Sequence, residues 1–156
     1  LCCEYEAEGG ESIMVDGFKI AKILKENHVT SYNILSEIDI PGRYFGDGVE
    51  LIAKRPVFKF RNKKLIQVSF NNYDRGDFRL PNNKINDFYT AIRAFDKLAN
   101  AKEMQWRQIL KPGQLLIFNN WRVLHGRSEF SGKRKMSGCY INKEDFESVC
   151  RMNSIY

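Results

Sequence analysis

At 156 residues, 43% of them hydrophobic and 13% aromatic, the chain can close one globular domain with a real core, and its aromatic share argues against disorder. A net charge of +6 would suit nucleic acid, an anionic membrane or anionic small molecules. Lys and Arg are spread along the chain, however, and no known nucleic-acid module appears, so a solvated basic surface is the default reading. No apolar run reaches membrane-spanning length. Cysteines 2, 3, 139 and 150 form neither a CxxC pair nor a disulfide-like framework, which suits a reducing compartment. The chain opens on Leu1, with neither a signal nor a transit peptide, so a cut N-terminus is expected.

In chain order, residues 1–10 read as a strand ending at Gly9-Gly10, and Ser12-Ile13-Met14-Val15 runs up to Asp16-Gly17-Phe18. Asp16 is a good N-cap for a helix whose Phe18, Ala21 and Leu24 share one face. Thr30 or Ser31 is placed to cap a second short helix through Ile38, with His28 in the linker as a surface residue. Val57 to Phe60, a turn through 61–64 and Leu65 to Phe70 read as a hairpin. The Asn71-Asn72-Tyr73-Asp74-Arg75 stretch that follows reads as an Asn-rich turn. Pro81 breaks the chain before a helix whose Ile85, Phe88, Tyr89, Ile92, Phe95 and Ala99 form a core stripe, predicted to pack on a sheet.

Leu110-Lys111-Pro112-Gly113 is a turn, and Leu115-Leu116-Ile117-Phe118 has the length and character of a buried strand. Arg122-Val123-Leu124 is a second extended piece that delivers His125 to a point where Gly126 lets the backbone bend. A histidine there can aim into a cavity, or it can be an ordinary core or surface residue. Residues 128–133, with Ser131-Gly132, read as the return turn of a hairpin. In the strand expected from Arg134 to Tyr140, the residues Arg134, Met136, Gly138 and Tyr140 share a face. Arg134 offers a planar fork for a carboxylate and Tyr140 a ring face for a cation. The alternative is an exposed arginine beside a half-buried tyrosine. The tail from Asn142 reads as a short capped helix, Glu144 to Arg151. No linker, repeat or low-complexity stretch appears, so this is one domain or part of one.

Three stretches carry a family resemblance. Asn120-Trp121-Arg122-Val123-Leu124-His125-Gly126-Arg127, with Gly132-Lys133-Arg134 and Gly138-Cys139-Tyr140, resembles the C-terminal end of the carnitine-pathway dioxygenases. Glu8-Gly9-Gly10-Glu11-Ser12 with Val15-Asp16-Gly17-Phe18 resembles an earlier stretch of the same family, and Asn71 to Arg75 resembles its trimethyllysine branch. The resemblance implies a mainly β fold with helices: the double-stranded β-helix, or jelly roll, of the Fe(II)/2-oxoglutarate oxygenases, incomplete at the N-terminus. Residues 1–156 would then be the C-terminal part of a single TauD/TfdA-like catalytic domain.

By the same resemblance, His125 is the last iron ligand, Arg134 binds the 2-oxoglutarate carboxylate, and Tyr140 is one wall of a trimethylammonium cage. Asn72 or Asn71 contacts substrate. The implied cofactors are Fe(II), 2-oxoglutarate as co-substrate and ascorbate as reductant. The implied partner is a small trimethylammonium substrate, with no nucleic acid, no membrane and a homodimer left open. The implied reaction is hydroxylation of trimethyllysine in the mitochondrial matrix. Hydroxylation of gamma-butyrobetaine, in the cytosol, is the alternative. Such sites use two histidines and a carboxylate, yet the only histidines are His28 and His125 and no HxD occurs. A fragment or truncated form is therefore expected, or else a metal-free binding or dimerising remnant. Asn119 stands where the family usually has Asp.

Overall fold

The computed structural model describes residues 1–155. Its first half runs β1 (Cys2–Gly9), β2 (Ser12–Asp16), α1 (Gly17–Asn27), α2 (Val29–Glu37), β3 (Ile40–Gly46), β4 (Val49–Arg55), β5 (Phe58–Arg61) and β6 (Lys64–Val68). The second half runs α3 (Asn82–Ala99), a 3-10 turn (Lys102–Met104), β7 (Gln105–Gln108), β8 (Val123–Arg127), β9 (Phe130–Met136) and α4 (Lys143–Met152).

The sheet pairing is nested. β1 lies antiparallel to β9, and β2 antiparallel to β8, with β7 on the other edge of β2. The two links between these layers are stitched together. Gly10 N donates to Glu129 O at 2.9 Å, Ser128 N to Glu11 O at 3.1 Å, and Glu11 N to Ser128 Oγ at 2.9 Å. Gly9 must be glycine here, because its φ is +78° and a Cβ would stand 2.4 Å from Glu129 O.

This nesting overturns the hairpin expected around His125. β8 and β9 do not pair with each other, because each finds its partner in the first 16 residues. Their link is Ser128-Glu129, and Gly132 lies inside β9. With φ of +96°, Gly132 lets β9 approach β1 so closely that a Cβ would meet Glu6 O at 2.5 Å. Gly126 makes no bend: it is a strand residue opposite Ile13, and His125 is central in β8. β9 ends at Met136, so Tyr140 lies beyond the strand and the face expected to join it to Arg134 does not extend that far.

Leu115 to Phe118 is the second correction. It forms no strand, and Leu115 and Ile117 are 63% and 68% exposed. An apolar run becomes a buried strand only where neighbours supply ladder hydrogen bonds and a cover. Among the described residues this stretch is held at one end, where Cys2 N donates to Gln114 O at 3.0 Å.

The helices are nearer to expectation. Asp16 caps α1, accepting from the N–H of Phe18 and of Lys19 at 2.9 and 3.4 Å. α2 begins at Val29, ahead of both expected caps. The reason is that His28, exposed as expected, donates its N–H to Leu24 O and accepts from Tyr32 N. One residue thus ends α1 and starts α2. α4 covers the predicted tail helix, but the Asn142 side chain makes no capping bond.

The pattern assigned nothing to residues 39–56, which form the β3–β4 hairpin around Asp47-Gly48, both at positive φ. Asp-Gly is a strong two-residue turn signal, and here it joins the paired residues Gly46 and Val49.

The core lies where α1, α2 and α3 meet the β5–β6 hairpin. Ile20, Leu24, Leu35, Phe58, Phe88 and Phe95 are almost wholly buried. Phe95 sits 4.5 Å from the Phe70 ring and 5.8 Å from Phe58, centroid to centroid. Of the predicted α3 stripe, Phe88, Ile92 and Phe95 are buried, whereas Ile85 and Tyr89 are 37% and 43% exposed; Ala91 is buried instead. α3 packs chiefly on α2 and α1 rather than on a sheet, with Phe95 reaching Phe58 of β5.

Phe95→Ala should therefore cost about 3–5 kcal/mol through lost contact and a residual cavity. Tyr89→Ala should cost about 1 kcal/mol, mainly the edge contact with Phe88. Urea denaturation of both variants checks this, and equal losses would contradict the assignment of the buried face.

Candidate functional site

The site is built on one corner. Asp16, at the end of β2, caps α1 and also meets the Arg122 fork: Nε donates to Oδ1 at 3.0 Å and Nη2 to Oδ2 at 2.6 Å. Two parallel charge-assisted bonds fix orientation as well as distance. The Arg122 guanidinium also lies over the Phe18 ring, 5.4 Å from its centroid. Backbone bonds complete the corner, with Gly17 N donating to Arg122 O at 2.9 Å and Val68 N to Trp121 O at 2.8 Å. A Cβ on Gly17 would stand 2.9 Å from Arg122 O, so the corner closes only around glycine.

The 119–122 turn carries the chain into β8. Asn119 Oδ1 accepts from Trp121 N at 3.0 Å, and its carbonyl accepts from Arg122 N and Val123 N. A carboxylate oxygen at this position would accept that first bond equally well. β8 then presents His125 directly opposite Met14, which itself faces Trp106 of β7. Directly opposed residues share a sheet face, and on this face Phe118 stands against the imidazole, ring centroids 5.0 Å apart. Leu124, on the other face, packs against the core.

A cleft of about 1030 Å³ opens beside β8. It is lined by His125, Asn71, Asn72 and Tyr140, so four of the five residues singled out from sequence converge on it. Arg134 is not in its lining. It lies half-buried in β9 opposite Tyr5, with its side chain beside Gly10. Arg127 does line the cleft, and its guanidinium sits 4.6 Å from the centre of the Phe130 ring. Tyr140 is 87% exposed at the rim.

The two asparagines are engaged within their own turn. Asn71 Oδ1 accepts from Tyr73 N at 2.8 Å and its Nδ2 donates to Asp74 Oδ2 at 2.6 Å, while Asn72 Oδ1 accepts from Arg75 Nη2. Arg43 N then donates to Asp74 O at 2.7 Å, and Gly76 N to Pro41 O at 2.8 Å, stitching the turn to β3.

Among the described residues no group of three His, Cys, Asp or Glu side chains could hold a metal ion. The residues present therefore do not by themselves make the three-ligand site that a non-haem iron needs.

Comparison with known proteins gives the family. The profile described as "Taurine catabolism dioxygenase TauD, TfdA family" matches residues 1–140. The chain belongs to the TauD/TfdA family. The family fold is that of the Fe(II)/2-oxoglutarate oxygenases, seen here as a mixture of strands and helices.

Among TauD/TfdA relatives, a trimethyllysine dioxygenase of Meyerozyma guilliermondii is 39% identical over 155 residues, covering 96% of this chain and 38% of that protein. One from Neurospora crassa is 41% identical over 149 residues, covering 92% of this chain and 32% of that protein. A gamma-butyrobetaine dioxygenase of Homo sapiens is 31% identical over 152 residues, covering 90% of this chain and 39% of that protein. The chain thus spans little more than a third of the length of the curated relatives it matches.

Sequence patterns alone missed the Asp16–Arg122 ion pair and the placing of Asp74 and Arg75 side by side on the cleft lining. Both residues of the first stand in recognised motifs, but partners 106 positions apart carry no local signal. The second was hidden behind the asparagines that hold it.

The corner has a pH signature. The Arg122 hydrogen bond, aided by the helix N–H groups, outweighs burial and holds the Asp16 carboxyl below its ordinary value of 3.8. A carboxylate depressed on folding adds stability above its unfolded value, and this is lost as pH falls through the folded one. Arg122→Gln should therefore flatten the acid limb of stability below about pH 4. Asp16→Ala, which also removes the cap, should cost at least about 1 kcal/mol at neutral pH, and Asp16→Asn less than Ala because Asn caps well. Denaturation midpoints at pH 7 and pH 3 check both. A steep acid limb retained in Arg122→Gln would mean that other carboxylates dominate.

Proposed function

We propose that this chain is the C-terminal part of a TauD/TfdA-type catalytic domain, and that the complete enzyme hydroxylates trimethyllysine with Fe(II) and 2-oxoglutarate. The observation that carries the reading is His125, held at mid-strand on a cleft shared with Tyr140, Asn71 and Asn72, in a chain whose relatives named trimethyllysine dioxygenase align along almost all of it. The nested pairing of β1 with β9 and β2 with β8 is that of a rolled antiparallel ribbon, which supports the jelly-roll reading. Mammalian relatives are named mitochondrial, which supports a mitochondrial matrix location. Ascorbate as reductant belongs to the same proposal.

In this reading His125 is one iron ligand, and the remaining two come from polypeptide outside this sequence. Arg134 grips the carboxylate of 2-oxoglutarate. Its half-buried setting in β9 favours it over Arg127, whose guanidinium already lies against Phe130. Tyr140 offers its ring face to the trimethylammonium group, and its exposed position at the rim leaves that face free.

Two measurements test this. The isolated chain, reconstituted with Fe(II) and 2-oxoglutarate, should hold far less than one equivalent of iron, because a single imidazole makes no selective site; a full equivalent would overturn the reading. In the complete enzyme, Arg134→Ala should weaken 2-oxoglutarate by roughly tenfold or more through loss of a bidentate contact. Arg127→Ala should cost less, and the reverse order in titration calorimetry would reassign the clamp.

A further inference from the structure

The 71–75 turn places an acid and a base side by side on the cleft wall. Asp74 and Arg75 are adjacent in sequence, half-buried, and both line the cleft. Opposite charges so placed would be expected to pair, yet among the described residues neither takes part in an ion pair. Each is instead held by a neutral amide three positions earlier, Asp74 by Asn71 Nδ2 and Arg75 by Asn72 Oδ1. The Arg75 Nε is buried without a hydrogen-bond partner. A buried donor left unpaired is costly unless something else in the site uses the group's charge.

Among the other charges lining the cleft, Arg55 is, like Arg75, in no ion pair among the described residues and is the one competing cation. Arg43 is bound to Glu50, Nε to Oε1 at 2.7 Å, and Arg127 is against the Phe130 ring. Asp96 of α3 also reaches the lining, and it is the one competing acid.

We infer that Asp74 and Arg75 form a receptor for the zwitterionic head of an α-amino acid, Asp74 taking the ammonium group and Arg75 the carboxylate, with Asn71 and Asn72 as positioning residues. The inference rests on the proposed reading of the cleft as a trimethyllysine site and deepens it. It supplies a basis for specificity, because gamma-butyrobetaine has a carboxylate and a trimethylammonium group but no α-ammonium for Asp74. Leaving Asp74 desolvated and unpaired penalises the wrong substrate more than the contact itself rewards the right one.

The test is equilibrium binding to the complete enzyme of three probes: trimethyllysine, deamino-trimethyllysine and trimethyllysine α-amide. The unsubstituted enzyme should prefer trimethyllysine to each of the other two by roughly tenfold, the scale of one charge-assisted contact. Asp74→Asn should remove the preference over the deamino compound while retaining that over the amide. Arg75→Gln should do the opposite, and Asp96→Asn and Arg55→Gln should change neither. Each ratio is taken within one variant, so partial unfolding lowers all three affinities together and leaves the ratios alone. Asp74→Glu, which keeps the charge, should retain more of the ammonium preference than Asp74→Asn. If the unsubstituted enzyme bound none of the probes, the trimethyllysine reading would fall and the inference with it. If it bound trimethyllysine but the preference over the deamino compound survived Asp74→Asn or vanished in Asp96→Asn, or the preference over the amide survived Arg75→Gln or vanished in Arg55→Gln, the inference alone would be overturned.

Discussion

The paired hydrogen bonds between Arg122 and Asp16 decide where the rest of the site stands. The same carboxylate caps α1, so one charge anchors a helix start and a turn from distant parts of the chain. The turn also closes onto the end of β6 through the Val68 N–H. Three elements therefore share a corner, and the strand that leaves it carries His125 two residues on from Val123. A single-residue error there would rotate the imidazole to the core side, where Leu124 now packs. The ion pair itself is only partly shielded from water and adds little as an isolated contact. Its importance is geometric.

The cleft follows the same logic of separate anchors meeting at a shared space. One wall is β8, fixed by its ladder with β2. Another wall is the 71–75 turn, fixed by its own amide side chains and by two backbone bonds to β3. The core, built around Phe58, Phe88 and Phe95, meets both parts of the lining, through Leu124 of β8 and Phe70 beside the turn. This arrangement keeps polar and charged side chains on a cleft surface while apolar burial, about 1.5–3 kcal/mol for each fully buried large side chain, holds the frame.

The exposed stretches fit the same account. Leu115 and Ile117 lie open, and the β3–β4 hairpin shows Phe45, Leu51 and Ile52 to solvent. Surface of this kind calls for a cover.

Much of the fold was legible in the amino-acid order, because local chemistry decides local structure. Asp16 capped α1, Asn62-Lys63 turned the β5–β6 hairpin, and the apolar spacing of α3 marked a buried stripe. The family was legible too, since an eight-residue run such as Asn120 to Arg127 is specific. What the order alone did not decide was pairing across distance. Residues 128–133 were read as a hairpin turn because neighbouring strands usually pair, but β8 and β9 each bonded to a strand more than a hundred residues earlier. Leu115 to Phe118 looked like a strand because apolar pattern cannot reveal whether a partner is present. Arg122 and Asp16 met, and Asp74 and Arg75 stayed apart, for reasons that exist only once the chain has closed on itself: hydrogen bonds need a direction as well as a residue type, and only tertiary structure supplies the direction.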